Sequence, residues 1–177
     1  MSRIFVAFLA FFFLFVFQTS FIHALPGWLM LLPVFFAVSV YFTQHHSLAI
    51  GAIWLSAYGI MLDLLHINHV PLEFISYSAA GLVALVLSRR LFSNRSLWGV
   101  LACGAVSSGT LFLFHVLILF VVQLRAPEHV AWNTFLNESL VIFLSLLLLL
   151  FLLFQFAGSF RTILIKSFLL SKKHETF

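Results

Sequence analysis

At 177 residues the chain is long enough for one soluble domain, but 63% of it is hydrophobic and only 8% is charged. A water-facing surface needs more charge than that, and a mean hydropathy of +1.17 excludes an ordinary soluble fold: lipid is the solvent for most of this surface. The formal charge of +4 and pI of about 9.7 would raise nucleic acid as a partner of a soluble protein, but here membrane topology accounts for the basic residues and no nucleic-acid binding is expected.

The N-terminal stretch, about Ile4–Ile22, has the length of a membrane span. Ile22 stands where a signal-peptidase site ending at Ala24 wants a small residue, so retention as a first helix is expected. A second stretch, about Trp28–Phe42, contains Pro33, and its 15 residues rise only about 22 Å as a helix, short of the roughly 30 Å of hydrocarbon. Thinning of the bilayer, borrowed flanks or shielding by neighbours must make up the difference. Further spans are expected at about Leu48–Leu65, Leu72–Leu87, Leu97–Val122 and Thr134–Ala157. Trp28, Trp98 and Trp132 stand at span ends, where an amphipathic ring prefers to lie. After Ala157, residues 157–177 mix Phe160, Ile163, Leu164 and Phe168 with Arg161, Lys166, Lys172 and Lys173. That pattern predicts a basic amphipathic tail on the anionic inner leaflet, the alternative being a frayed end of the sixth span.

The fold class read from this is an all-α integral membrane protein, a single polytopic domain over residues 1–177 with six transmembrane helices. With both termini cytoplasmic, Arg3, Arg89, Arg90, Arg95, Arg161, Lys166, Lys172 and Lys173 lie inside and only Arg125 lies outside, as the positive-inside bias requires.

In lipid, helices associate through small residues that let backbones approach. Ala49, Ala52, Ser56, Gly59 and Asp63 share one face of the third span, and Ser76, Ala80, Ala84 and Ser88 recur at intervals of four in the fourth. The start of the fifth is rich in Gly, Ala and Ser, whereas the first and sixth are bulky. A tight centre of spans three to five is therefore expected, with one and six facing lipid or a partner. Asp63 lies on the small-residue face near the outer end of its span, which lowers a cost of about 2.5–3.5 kcal/mol for a carboxylate at mid-membrane. Hydroxyls, backbone N–H groups or His66 are its expected partners.

Asp63, His66, His69 and Glu73 form an outer polar cluster, a candidate partner contact or pocket rim. The residue types suit zinc, but Asn68 and Pro71 break the helical register and no cysteine supports a site, so no metal is expected. His115, within the fifth span, is read as a neutral imidazole bonded to a Ser or Thr of a neighbouring helix; a proton relay would need an acidic partner at matching depth. Cys103 is a small packing residue. HExxH, GxSxG and phosphate-binding glycine loops are missing, so neither catalysis nor a cofactor is expected.

The segment GAIWLSAYGIMLDLLHINHVPLEFISYSAAGLVALVLSRRLFSNRSLW resembles the core of the bacterial rod shape-determining MreD family. The matching positions are Gly51, Gly59, Leu62, Asp63, Leu64, Pro71 and Leu72, with Glu73 where the family has glycine after Pro-Leu. The resemblance implies a six-helix bundle similar to the substrate-binding subunits of vitamin transporters. It further implies a non-enzymatic role in the bacterial cytoplasmic membrane, anchoring an MreC-like bitopic protein and a peptidoglycan polymerase and transpeptidase. The alternative is a small-molecule uptake subunit with an outward polar cavity.

Overall fold

The computed structural model describes residues 2–45, 48–66, 72–91, 96–125 and 131–173. Among them every regular element is helical: α1 Ser2–Val16, α2 Val34–His45, α3 Leu48–His66, α4 Leu72–Arg90, α5 Leu97–Arg125 and α6 Trp132–Lys173. A π-helical turn, Phe17–Ile22, prolongs α1, and a 3-10 turn, Gly27–Leu31, precedes α2.

Five helical stretches are long and apolar enough to cross a membrane: Phe5–Ile22, Gly27–His45, Leu72–Arg90, Leu97–Val121 and Trp132–Ala157. The shortfall expected in the second stretch is made good by the 3-10 turn. The shorter apolar helix is instead the third, Ala49–Leu65, which rises about 25 Å. α6 runs unbroken from Trp132 to Lys173, 42 residues or about 63 Å, roughly twice the thickness of the hydrocarbon core.

Successive helices run antiparallel. Phe35 near the start of α2 stacks on Tyr58 late in α3, while Thr43 near the end of α2 meets Gly51 early in α3. Ser88 at the end of α4 touches Cys103 early in α5, and Glu73 at its start touches His115 late in α5. Alternation gathers the C-terminal ends of α2, α4 and α6 at one end of the bundle. Arg89 and Arg90 lie there, and Asp63, Glu73 and Glu138 lie toward the other end.

The centre is not built from spans three to five alone. α2 lies against α3, α4, α5 and α6, and seven of its twelve residues are buried, among them Phe35, Phe36, Ala37, Ser39 and Val40. Being enclosed on most sides, a short helix there has little need to match the bilayer by itself. α6 also enters the core, through the fully buried Leu146 and Leu150. α1 does behave as a peripheral helix. It leans on the bundle through the Phe11 and Phe15 rings, which meet Phe35, Trp54 and Tyr58, while Phe5, Phe8, Phe12 and Phe13 face outward.

Backbone approach is closest around α3. A Cβ on Gly51 would collide with the Thr43 hydroxyl and the Ser39 carbonyl of α2, and a Cβ on Gly59 would stand 2.7 Å from the Glu73 carbonyl oxygen and 2.8 Å from the Phe74 Cα of α4. Buried hydroxyls stay compatible with this packing by bonding back to their own helices: Ser76 to the Leu72 carbonyl at 2.8 Å and Ser88 to the Ala84 carbonyl at 2.7 Å.

Pro33 forces a break, because Leu32 before it is held extended and the first amides of α2 have no helical acceptor. Gln18, buried in the π-turn, spans the break: its Nε2 donates to the Leu32 carbonyl at 2.9 Å, and the Phe35 N–H donates to its Oε1 at 3.1 Å. One amide thus satisfies an acceptor and a donor that lipid cannot. Gln18→Leu keeps the volume and strands the Phe35 N–H, while the Leu32 carbonyl retains the Val34 N–H at 3.0 Å. A loss of about 2 kcal/mol of unfolding free energy is expected, read by denaturant titration in mixed micelles; an unchanged midpoint would show that the break is satisfied otherwise.

Candidate functional site: a capped joint between α3, α4 and α5

The site starts from a constraint on α4. Its first amides, like those of any helix, have no intrahelical acceptor, and apolar surroundings make each unsatisfied group expensive. Asp63, from the last turn of α3, provides the acceptors. The Glu73 N–H donates to its Oδ1 at 3.1 Å and the Phe74 N–H to its Oδ2 at 2.8 Å. A carboxylate at a helix N-terminus also meets the positive end of the helix dipole. Asp63 is half-buried, so it is aimed at protein, and its partners are backbone N–H groups, one of the kinds expected.

Gly59 lies one turn before Asp63 on the same face, and its missing side chain is what lets the Glu73–Phe74 backbone come within reach. The close approach at this joint is supplied by the glycine on α3 and needs none at position 73. Deeper along the same interface, Ala52 of α3 faces Gly81 of α4, and Ser56 turns its hydroxyl back to the Ala52 carbonyl at 3.2 Å. Ala80 and Ala84 are fully buried. Of the other motif positions, Gly51 packs on α2, Leu62 is buried among aromatic side chains, Leu64 is exposed and Leu72 opens α4. His66 ends α3. His69 and Pro71 lie outside the described residues.

With its backbone held by Asp63, Glu73 directs its side chain to α5. Its Oε2 lies 3.1 Å from His115 Nε2, with both side chains about a quarter exposed. The structure thus corrects the expectation that His115 bonds to a hydroxyl: the acidic partner at matching depth exists, 42 residues away in sequence. Behind the pair, Tyr58 and Tyr77 pack edge to face with centroids 5.1 Å apart, both within electrostatic reach of Glu73, and Tyr58 stacks on Phe35 at 4.3 Å. One joint therefore connects α2, α3, α4 and α5. Sequence reasoning missed Gln18, Tyr58, Tyr77 and the His115 pairing. The only local signal was a polar or ring residue inside an otherwise aliphatic stretch.

Among the described residues no three His, Cys, Asp or Glu side chains converge as a metal would require, and both Asp63 oxygens are engaged by amides. The arrangement is a mechanical tie: a carboxylate locks two helices, and a Glu–His pair adds the third. A double-mutant cycle of Glu73→Gln and His115→Phe is expected to give a coupling of about 0.6–1.7 kcal/mol, the range met by hydrogen bonds between membrane helices. Strict additivity would mean that the pair does not hold α4 to α5.

No family model, curated protein or solved structure matches the chain.

Proposed function

We propose that the protein is a non-enzymatic scaffold of the bacterial cytoplasmic membrane, similar in role to the MreD family. In this reading it crosses six times with both termini inside and anchors a bitopic MreC-like partner beside the peptidoglycan polymerase and transpeptidase of cell elongation. The observation that carries the reading is the Asp63 joint. The Leu62-Asp63-Leu64 element, which bears the resemblance, has its carboxylate engaged in holding helices together. That suits a rigid platform for partners better than a reactive centre. Further support comes from the segregation of Arg89 and Arg90 from Asp63, Glu73 and Glu138 to opposite ends of the bundle.

The competing uptake reading calls for a polar cavity between helices at the outer end. A cavity lined by Val38, Tyr41, Phe42, Leu153, Phe156 and Ala157 lies toward the opposite end and lends that reading no support. Purification of the tagged chain in mild detergent tests the assignment. Co-purification of wall-synthesis proteins, and loss of rod shape on depletion, are the expected results. A co-purifying transport ATPase, or unchanged shape and growth, would overturn it.

A further inference from the structure

The place of the Glu73–His115 pair along α5 carries an inference independent of the role in cell elongation. Glu73 stands in the first turn of α4, and His115 lies opposite it on α5. Phe112 stacks on Phe135, in the first turn of α6, with centroids 5.6 Å apart. The two helices that flank α5 therefore begin at about the depth of His115, whereas α5 continues to Arg125. Residues 116–125 carry it about 15 Å beyond the pair.

This arm is rooted at the pair. Among the described residues Leu111 is the last of α5 to pack against either core cluster, and Leu117, Phe120, Val121 and Leu124 are exposed. Few described titratable groups surround the root. α3 presents Asp63, whose oxygens hold the Glu73 and Phe74 amides, and Tyr58; α4 adds Tyr77. α2 brings Phe35 and Phe36 near that depth, while its Tyr41 and His45 lie at the other end of the helix. α5 has no other titratable residue between Cys103 and Arg125, and Glu138 of α6 is exposed. The side chain of His66, like His69, lies outside the described residues.

We propose that the pair is a proton-operated latch: with Glu73 ionised it fastens the arm of α5 to α4, and protonation of Glu73 releases the arm. A neutral imidazole donates its Nε2–H to the carboxylate, and an imidazolium does so more strongly. A proton on the ring therefore does not open the latch. A proton on the carboxylate leaves an imidazolium facing an uncharged acid at the margin of an apolar medium, where a cation without a counter-charge is costly. Both side chains are about a quarter exposed, so the proton has access and the charged ring has a way out to water. α5 moves with the ring, and acid at this end of the bundle is converted into a displacement of the arm.

The test uses the full chain in nanodiscs of phosphatidylcholine, whose headgroup carries no net charge. Spin labels are attached through Leu82→Cys on α4 and Val121→Cys on the arm, both exposed positions, in a Cys103→Ala background. Their separation is followed by double electron–electron resonance from about pH 8 to about pH 4, which spans the ordinary imidazole and carboxylate ranges. Acid is expected to raise the ratio of longer to native separations by about threefold or more, the weight of one hydrogen bond between membrane helices. Glu73→Gln and His115→Phe are each expected to remove this acid step. His115→Phe keeps Asp63 and every other carboxylate, so it separates the latch from the helix cap. If His115→Phe does not fold, His115→Gln, which takes up no proton, is read the same way. A distance distribution that stays unchanged through the titration when Glu73 and His115 are intact overturns the proposal. An acid step of equal size without His115 also overturns it, and would assign the response to another carboxylate of the joint.

Discussion

Replacing Asp63 with alanine is expected to lower the unfolding free energy by about 2–3 kcal/mol, at or above the upper end for loss of a helix cap. In a water-soluble helix the stranded amides would turn to solvent. Here the chain leaves α3 and enters α4 at the margin of an apolar medium, so water is a poor replacement for the carboxylate. Asp63→Asn keeps one oxygen that can accept, and about half of the loss is expected. The measurement is a denaturant titration of the purified chain in mixed micelles, following Trp54 and its neighbours by fluorescence. Equal midpoints for wild type and Asp63→Ala would show that the two hydrogen bonds do not secure α4. The ordering matters as well. A capping role puts Asn between Asp and Ala, whereas a catalytic role would spare stability in both variants.

Gly59→Ala is expected to cost about 3 kcal/mol, although alanine is the better helix former by about 1 kcal/mol. The added carbon would stand 2.7–2.9 Å from three backbone atoms of Glu73 and Phe74. Backbone cannot rotate aside as a side-chain tip can, so the first turn of α4 must move away. Moving it also lengthens both bonds to Asp63. The double variant Gly59→Ala, Asp63→Ala should therefore lose clearly less than the two single losses combined, because each destroys the same joint. Gly109→Ala is the control: a Cβ there meets nothing within 4 Å, and a neutral or slightly stabilising effect is expected. Equal behaviour of the two glycine variants would remove close approach as the reason for Gly59.

The joint was half legible. Asp63 and Gly59 stand four residues apart on a face of small side chains, and a carboxylate in an apolar run must point at protein. That reasoning reached the right face and one of the right kinds of partner. It reached neither Glu73–His115 nor Gln18. Gln18 bonds to groups 14 and 17 residues away, and His115 to one 42 residues away. No local periodicity encodes such pairs; they exist only once separate helices have been brought to the same depth.

What the sequence by itself determined is the medium and the material: helices for lipid, small faces on the third and fourth helices, and basic residues gathered at the α4–α5 joint and in the C-terminal tail. Each follows from a rule that acts on one segment at a time, such as the need to satisfy backbone groups without water or the room a small side chain leaves. The tertiary structure alone decided that the short α2 sits at the centre, that α6 contributes Leu146 and Leu150 to the core, and that Gln18 and Asp63 each cap a helix other than their own. The reason is that apolar side chains are as comfortable against acyl tails as against protein. Hydrophobicity therefore cannot tell an enclosed helix from a peripheral one, and only the fit of shapes and the pairing of the few polar groups selects the arrangement.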